Sequence, residues 1–425
     1  MATPKPAVAL GSDAARSAAD RSAVRAAALV IAFSVLGTTL AQTQILGRIP
    51  IQNLLKNVLH VDRAANAAFF FWIGIPWYLK PLFGIVCDAF PLFGSRRKHY
   101  LLLGAGLATL AWLALAITPQ RYEPLLMVCL LINFAMIIAS TAVGGYMVDV
   151  AQSSSSAGRL SSVRNFAQQF SFVVAGPLSG YLASVAFGWT PLSCGLVLFL
   201  IVPITLTFML EPSQRARSTA VLTTLQVQFR QIGQAKSMWA TAGLAALFYF
   251  APGIQTATFY RQQNLLHMST QGQGFLVLLQ GVFGIAASLL YGSFLCRKLT
   301  LRTLVVTGLL LGSAADLAYL LYNSVPLARA IESFWGFGYI LAELAMAHLM
   351  VRATPKGSEA LGFALLVSVR NLCYFGGDWF GSHLLDQYHL QYSTLVLANA
   401  ATSLIAVPLS LLLPLALVNV RDRAQ

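Results

Sequence analysis

The chain has 425 residues, of which 57% are apolar and only 10% are charged. Soluble domains carry about a quarter charged residues, so this chain has too few to cover a surface that faces water. We therefore exclude a cytosolic enzyme, a nucleic-acid-binding protein and a disulfide scaffold, even though the formal net charge is +14. The positive charges fall in short loops between apolar runs, which is typical of membrane topology.

Residues 1–25 combine Ala, Ser and Arg and lead into an apolar run that is longer than the core of a signal peptide. No cleavage site is obvious, so these residues are predicted to form a cytoplasmic N-terminal tail. A short transit peptide is the alternative, because the composition also suits one.

Twelve apolar segments follow, each about as long as an α-helix needs to be to cross a bilayer, roughly 20 residues. They predict an all-α membrane protein with twelve transmembrane helices. Residues 26–210 are expected to form an N-terminal six-helix bundle and residues 238–418 a C-terminal six-helix bundle. Residues 211–237 form a polar cytoplasmic linker, and residues 419–425 a cytoplasmic tail. The predicted spans are 26–46, 65–87, 99–118, 124–148, 163–186, 191–210, 238–260, 273–295, 302–322, 326–351, 360–383 and 393–418.

The distribution of Lys and Arg predicts the orientation. The tails, the linker and the loops on the same side carry 20 of these residues, whereas the opposite loops carry six. Cytoplasmic loops are enriched in Lys and Arg, so both termini are predicted to be cytoplasmic. We expect a multi-pass protein of a bacterial inner membrane, with a plastid membrane as the alternative.

The two predicted bundles share short motifs in the same order. Phe-Gly-Ile, Arg-Lys and Ser-Val-Arg-Asn occur at 83–85, 97–98 and 162–165, and again at 283–285, 297–298 and 368–371. These matches align the second span with the eighth and the fifth with the eleventh. Two parallel six-helix repeats are the organisation of the major facilitator superfamily.

Residues 80–100 combine a Lys-Pro-Leu-aromatic-Gly helix end, an Asp, a Phe-Pro-hydrophobic-Phe-Gly turn and a basic run. This arrangement resembles the signature of the folate-biopterin transporter family of the major facilitator superfamily. Residues 176–180, Gly-Pro-Leu-Ser-Gly, also resemble a facilitator element. The stretch after Asp149 departs from the family, because four serines stand where a charged run is expected.

The resemblance implies a gate at the cytoplasmic face. Asp88 is expected to lie against the start of the eleventh span, near Arg370, and to hold the two halves together while this face is closed. Both a helix N-terminus and a guanidinium stabilise a carboxylate. Simple solvation at the interface is the alternative. The other residues assigned to this gate are Arg96, Arg97, Lys98, Asp149 and Arg164.

Carboxylates inside predicted spans are candidate functional groups, because burying a charge in a membrane is costly. Glu343 is the first candidate for proton coupling or ligand binding, since the tenth helix lines the cavity in the facilitator layout. Asp378 is the second candidate. Asp316 is expected to be a structural partner of a polar neighbour on a supporting helix, and Glu332 lies nearer the outer end of the tenth span.

A flat heteroaromatic ligand needs ring faces and charged groups, and the spans contain both. Lys80 could offer a cation to an anionic substrate or extend towards the interface. Trp335 and Tyr374 stand beside the carboxylates and could stack on a pterin ring, although interface belts and helix packing also explain aromatic residues. A carboxylate such as Glu343 or Asp378 could accept two hydrogen bonds from the amino-pyrimidine edge of a pterin.

These features predict a secondary active transporter that moves folate or a related pterin by alternating access, as a proton symporter. We expect no enzyme activity, no cofactor and no metal, since the sequence contains no P-loop, HExxH or Cys/His motif. The expected partners are a small-molecule substrate, protons and lipid, with no nucleic acid, and the chain is expected to be a monomer. The alternatives are a carrier of another organic anion or a muropeptide-like solute, and a non-transporting facilitator relative that assists pigment-protein assembly.

Overall fold

A computed structural model shows a chain built almost entirely of helices, as the sequence predicts. The described residues are 9–154, 157–209, 211 and 218–419. Parts of the predicted tails and linker, namely 1–8, 212–217 and 420–425, lie outside them.

The described residues of the first half form ten helices, and a π-helical turn (Leu54–Val58) follows the second of them. Prolines at the starts of α4 and α5 divide the second predicted span into three helices, because proline is tolerated in a first helical turn but not in a helix interior. The helices are α1 (Ala9–Leu40), α2 (Arg48–Asn53), α3 (Arg63–Ile73), α4 (Ile75–Tyr78), α5 (Lys80–Ala89), α6 (Lys98–Ile117), α7 (Tyr122–Ser154), α8 (Ala157–Leu182), α9 (Trp189–Phe199) and α10 (Ile201–Phe208).

A helix, α11 (Ser218–Gln234), lies within the predicted linker and precedes the second half. The second half also has a π-helical turn (Tyr291–Leu295) and a 3₁₀ turn (Tyr319–Leu321). Its helices are α12 (Lys236–Tyr249), α13 (Gln255–Asn264), α14 (Thr270–Leu290), α15 (Cys296–Lys298), α16 (Leu301–Ala318), α17 (Val325–Ala353), α18 (Glu359–Gln387), α19 (Tyr392–Leu411) and α20 (Leu415–Val418).

Seven helical segments of the described chain are long and apolar enough to cross a membrane. Several of the remaining predicted spans are divided into shorter helices or carry charged residues, so the count of twelve stays a prediction. Many large apolar side chains are exposed, among them Leu110, Ile117 and Leu412. Such a surface suits a bilayer rather than water.

The buried apolar side chains form one cluster within residues 27–209 and two within residues 232–418. Helix α8 packs against α14, and α3 packs against α18, so the two halves meet along these two helix pairs. We call the end of the molecule with the loops after α1, α6 and α18 the distal end, and the opposite end the linker end. The sequence predicts that the distal end faces outward.

The contact between α8 and α14 depends on glycine. Gly176 belongs to the Gly-Pro-Leu-Ser-Gly element, and a Cβ at this position would lie 2.7 Å from the carbonyl oxygen of Gly274 and 2.7 Å from the nitrogen of Leu278. Backbone atoms cannot move aside as a flexible side chain can. The two helices therefore approach this closely only because the residue has no side chain.

Replacing Gly176 by Ala is expected to lower the free energy of unfolding by about 1–3 kcal/mol, because the added methyl group overpacks the contact between the halves. Thermal unfolding of the purified protein in detergent measures the effect. Gly106→Ala on α6 is the matched control, since a Cβ there meets no atom within 4 Å. Equal unfolding midpoints for the two variants would show that the close approach is unimportant.

Candidate functional site

A cavity of about 270 Å³ lies between the two halves. The first half lines it with the segment after α1, with α2 and with α8. The second half contributes most of the lining, from α12, α13, α14, α16, α17, α18 and α19. A pocket enclosed by both repeats is where facilitator-type transporters hold a substrate.

The two halves are joined by polar contacts at the distal end. The guanidinium of Arg63 lies 2.5 Å from Asp386 Oδ1, and the Ala64 N–H donates to Asp386 Oδ2 at 2.8 Å. Lys56 Nζ donates to Gln263 Oε1 at 2.8 Å, and partial burial lowers the pKa of this ammonium. We call these five residues the distal seal. They bridge the halves on this side of the cavity.

Three aromatic rings of the second half form a stack along the cavity wall. The Trp335 and Tyr339 rings are nearly parallel, at 10°, with centroids 4.4 Å apart. Tyr339 also stacks on Phe248, with centroids 5.8 Å apart and an angle of 19°. Trp335 and Tyr339 are four residues apart on α17, so their side chains lie on one helix face. We call these three residues the ring stack.

Asp316, near the distal end of α16, is attached to the ring stack. Trp335 Nε1 donates a hydrogen bond to Asp316 Oδ1 at 3.2 Å, which agrees with the expectation that Asp316 has a polar partner. The side chain is only 4% exposed and also lines the cavity. A supporting helix therefore brings a carboxylate to the cavity, which the sequence argument did not anticipate.

Glu332 is a second buried carboxylate of the cavity lining and is 2% exposed. Tyr319 and Tyr322 donate to its two oxygens at 2.8 and 2.7 Å, and Gln280 Nε2 is a third donor. From the sequence, Glu332 was expected near the outer end of the tenth span, with no assigned role. The only signal that could have found it is the pair of tyrosines at the end of the preceding helix, which is a weak one.

Glu343 forms an ion pair with Arg370, whose Nη2 donates to Glu343 Oε1. Both side chains are about a quarter exposed (25% and 26%). The guanidinium lies 5.2 Å from the Tyr249 ring centroid and 5.8 Å from that of Tyr374, and both rings line the cavity. Glu343 itself is not part of the cavity lining; it lies about 12 Å along the helix axis from Trp335, towards the linker end.

The contact between Asp88 and Arg370, expected while the cytoplasmic face is closed, is not formed in this structure and stays a prediction. Asp88 Oδ1 instead lies 2.6 Å from Arg97 Nη2, and Arg97 Nε donates to Asp149 Oδ2 at 3.0 Å. Arg97 is 8% exposed and lies between two carboxylates of its own half. Arg97 follows Asp88 closely in sequence, so this ion pair lies wholly within the first half.

The loop that carries the basic run is held by Glu211, a residue the sequence argument assigned only to the linker. Its carboxylate accepts hydrogen bonds from Ser95 Oγ at 2.6 Å and from the backbone N–H groups of Arg96 and Lys98 at 2.9 and 2.8 Å. These donors lie at the start of α6, where a carboxylate is stabilised by unpaired N–H groups. Arg96 and Lys98 therefore have a structural role through their backbones.

Asp378 is not among the described residues that line the cavity, so ligand binding by this carboxylate stays a prediction. Both of its oxygens accept from Thr256, one from the N–H at 2.9 Å and one from the hydroxyl at 2.7 Å. The chain is broken between α12 and α13, where Pro252 and Gly253 interrupt the predicted span 238–260. Asp378 holds the start of α13 after this break.

Tyr374 does line the cavity, one turn before Asp378. Gln255, another residue of the cavity lining, accepts a hydrogen bond through its Oε1 from Arg48 Nη2 at 3.2 Å. Arg48 belongs to the first half and also lines the cavity. This hydrogen bond joins the two halves at the cavity wall.

Lys80 and Arg164 stand in the first half on the linker side of the cavity. Lys80 Nζ donates to Ser140 Oγ at 3.4 Å and lies 5.7 Å from the Trp77 ring centroid. Arg164 is exposed, and its charge interacts with that of Lys80. Neither residue lines the cavity itself, so a substrate contact at Lys80 stays a prediction.

The chain is similar to a protein family, to curated transporters and to solved structures. Residues 42–425 match the BT1 family. A protein of Synechocystis sp. named folate-biopterin transporter is 28% identical over 409 residues, which cover 89% of this chain and 81% of that protein. The crystal structure of a D-xylose-proton symporter has a TM-score of 0.69 at 13% identity, over 92% of this chain and 98% of that one. A mutant of the nucleoside transporter NupG has a TM-score of 0.67 at 16% identity, over 92% and 99%.

These likenesses confirm the major facilitator fold and the resemblance carried by residues 80–100. With its apolar helices, the chain is an integral membrane protein. The family match extends over most of its length. The chain belongs to the BT1 family.

Proposed function

We propose that this protein is a secondary active transporter that moves folate or a related pterin across the membrane by alternating access, as a proton symporter. The observation that carries the proposal is the cavity between the two halves, which is lined by stacked rings and buried polar groups. The name of the Synechocystis relative supports folate and biopterin as the substrate class.

The two chemical parts of folate match two regions of the site. The ring stack offers aromatic faces to the flat pterin ring. On the linker side, Lys80, Arg164 and Arg370 place three cations near the path of the anionic glutamate tail. Cations attract a carboxylate tail and form charge-assisted hydrogen bonds with it.

The ion pair of Glu343 and Arg370 supports proton coupling. While Glu343 is ionised, it neutralises the guanidinium. Protonation of Glu343 would free Arg370 to bind a carboxylate of the substrate, and loss of the proton would restore the pair and release the substrate. Because proton and substrate binding then favour each other, the two would move together.

Alternating access requires one gate at each end. The distal seal closes one end through Arg63 and Asp386. We propose that the cluster of Asp88, Arg97 and Asp149 acts at the linker end, which faces the cytoplasm in the predicted orientation. Rigid-body rocking of the halves about α8 and α14 would then open one end while the other is closed.

Uptake of labelled folate by cells that neither make nor import it tests the proposal. Cells that produce the protein are expected to accumulate folate above the level of cells with an empty vector, and an uncoupler should reduce accumulation to equilibration. Equal uptake by both cell lines, with the protein shown to be in the membrane, would contradict the proposal.

A carrier of another organic anion is the second candidate, because the cations Lys80, Arg164 and Arg370 would attract any carboxylate. Competition separates the two candidates. Unlabelled pterins should inhibit folate uptake if the ring stack binds the substrate, whereas simple organic anions should inhibit instead if only the cations do.

A further inference from the structure

The charged groups that line the cavity determine which part of a substrate can enter it. Among the described lining residues these groups are Arg48, Asp316 and Glu332, so the carboxylates outnumber the cation. Arg48 already donates to Gln255. A buried carboxylate without a cation disfavours an anionic ligand and needs hydrogen-bond donors. The cavity therefore suits the donor-bearing ring of a substrate rather than its anionic tail.

The two carboxylates, Glu332 and Asp316, differ in the number of hydrogen bonds that they already accept. Glu332 accepts three hydrogen bonds from its own surroundings. Asp316 accepts one, from Trp335 Nε1 to Oδ1, and within the described part of the chain its Oδ2 receives no hydrogen bond and no cation contacts it. Asp316 is thus the carboxylate with acceptor capacity left for a ligand.

The position of Asp316 relative to the ring stack determines which part of a ligand its free oxygen can bind. Trp335 both stacks on Tyr339 and donates to Asp316 through the edge of its indole ring. A flat ligand that stacks parallel to these rings would turn its own edge towards the same carboxylate. Stacking and edge recognition would then act on one ring at the same time.

We propose that Asp316 binds the 2-amino-pyrimidine edge of the pterin ring and determines the specificity of the cavity for 2-amino-4-oxopteridines. This edge places an exocyclic N–H and a ring N–H side by side, and a carboxylate accepts two parallel N–H groups as it does from a guanidinium. The inference rests on the proposed function and assigns to Asp316 the contact expected of Glu343 or Asp378.

The test compares pterin with lumazine, which has the same bicyclic ring but a carbonyl oxygen in place of the 2-amino group. Binding to the purified full chain in detergent is measured by quenching of tryptophan fluorescence and by calorimetry. The wild-type protein is expected to bind pterin at least about tenfold more tightly than lumazine, because the carbonyl oxygen removes one donor and opposes the carboxylate. Asp316→Asn should weaken pterin binding by about tenfold to a hundredfold and lumazine binding far less, so that the preference disappears.

Two further variants keep the test decisive. Asp62→Asn is the matched control, because Asp62 is exposed, caps α3 away from the cavity, and asparagine caps a helix equally well. Its pterin preference should equal that of the wild type. If Asp316→Asn does not fold, Trp335→Phe keeps a stacking ring but removes the donor that orients Asp316, and it should reduce the preference severalfold.

The possible outcomes separate this inference from the proposed function. An unchanged pterin preference in folded Asp316→Asn, or in Trp335→Phe if that variant replaces it, overturns the inference and leaves the transport proposal standing. A wild-type protein that binds neither compound contradicts the proposed function and this inference with it. Loss of preference in the tested variant, with the preference intact in Asp62→Asn, supports the assignment.

Discussion

Arg370→Ala is expected to reduce the initial rate of folate uptake by more than about a hundredfold. Each charge-assisted hydrogen bond contributes about 1.5–3 kcal/mol, and Arg370 is the cation that contacts two rings of the cavity wall. Removal of the guanidinium also leaves Glu343 without its ion-pair partner. The measurement is uptake of labelled folate at matched amounts of protein in the membrane.

Glu343→Gln separates coupling from substrate binding. This variant leaves Arg370 permanently free, so exchange of labelled for unlabelled folate should persist while uncoupler-sensitive accumulation is lost. Arg329→Ala, at an exposed position near the start of α17, is the control for loss of an arginine and should transport normally. Normal accumulation by both Arg370→Ala and Glu343→Gln would contradict the role of this ion pair.

Asp88→Asn and Arg97→Ala are each expected to lower uptake at least about tenfold while the protein remains folded and inserted. The buried guanidinium of Arg97 holds two carboxylates on separate segments of the first half, and breaking a network of this kind disturbs the linker end of that half, which the proposed gate needs. Initial uptake rates and the amount of protein in the membrane are measured together.

The control for the loss of uptake in Asp88→Asn and Arg97→Ala is Arg121→Ala, which removes an exposed arginine from the distal end of the molecule. This variant should transport normally. Because Asp88 and Asp149 share one partner, their substitutions should not combine additively. Uptake at the wild-type rate in Asp88→Asn would refute the gating role of this cluster.

The sequence was sufficient to predict the helical membrane fold, because long apolar runs and the placement of Lys and Arg depend only on local composition. The break after α12 was also predictable, since Pro252 and Gly253 disrupt a helix wherever it packs. The residue that binds the start of α13 after this break could not be predicted. Asp378 and Thr256 are distant in sequence and meet only once α13 and α18 pack together.

The site residues were also difficult to assign, because their positions depend on how the helices pack. Helix membership favoured Glu343 over Asp316, but the cavity lies towards the distal end, so the depth of a residue along its helix matters as much as which helix carries it. Trp335 and Tyr374 do line the cavity. The rotation of α16, which turns Asp316 inward, cannot be obtained from a helix that is apolar on most sides.

The contacts of the residues assigned to the gate were also not predictable from the sequence. Asp88 was assigned to Arg370 by analogy with a motif, although Arg97 is its neighbour in the same loop and forms the observed ion pair. Glu211, which holds that loop, was treated as the first residue of a polar linker. A single carboxylate after an apolar run gives no sign that it will accept hydrogen bonds from the start of another helix.

Folate flux into liposomes that contain only the purified protein tests the central claim most directly. With a proton gradient imposed so that the outside is more acidic, labelled folate is expected to accumulate inside above its external concentration, and a protonophore should abolish the accumulation. Folate movement no faster than in protein-free liposomes, under either direction of the gradient, would contradict the claim that this chain carries folate through the cavity between its two halves.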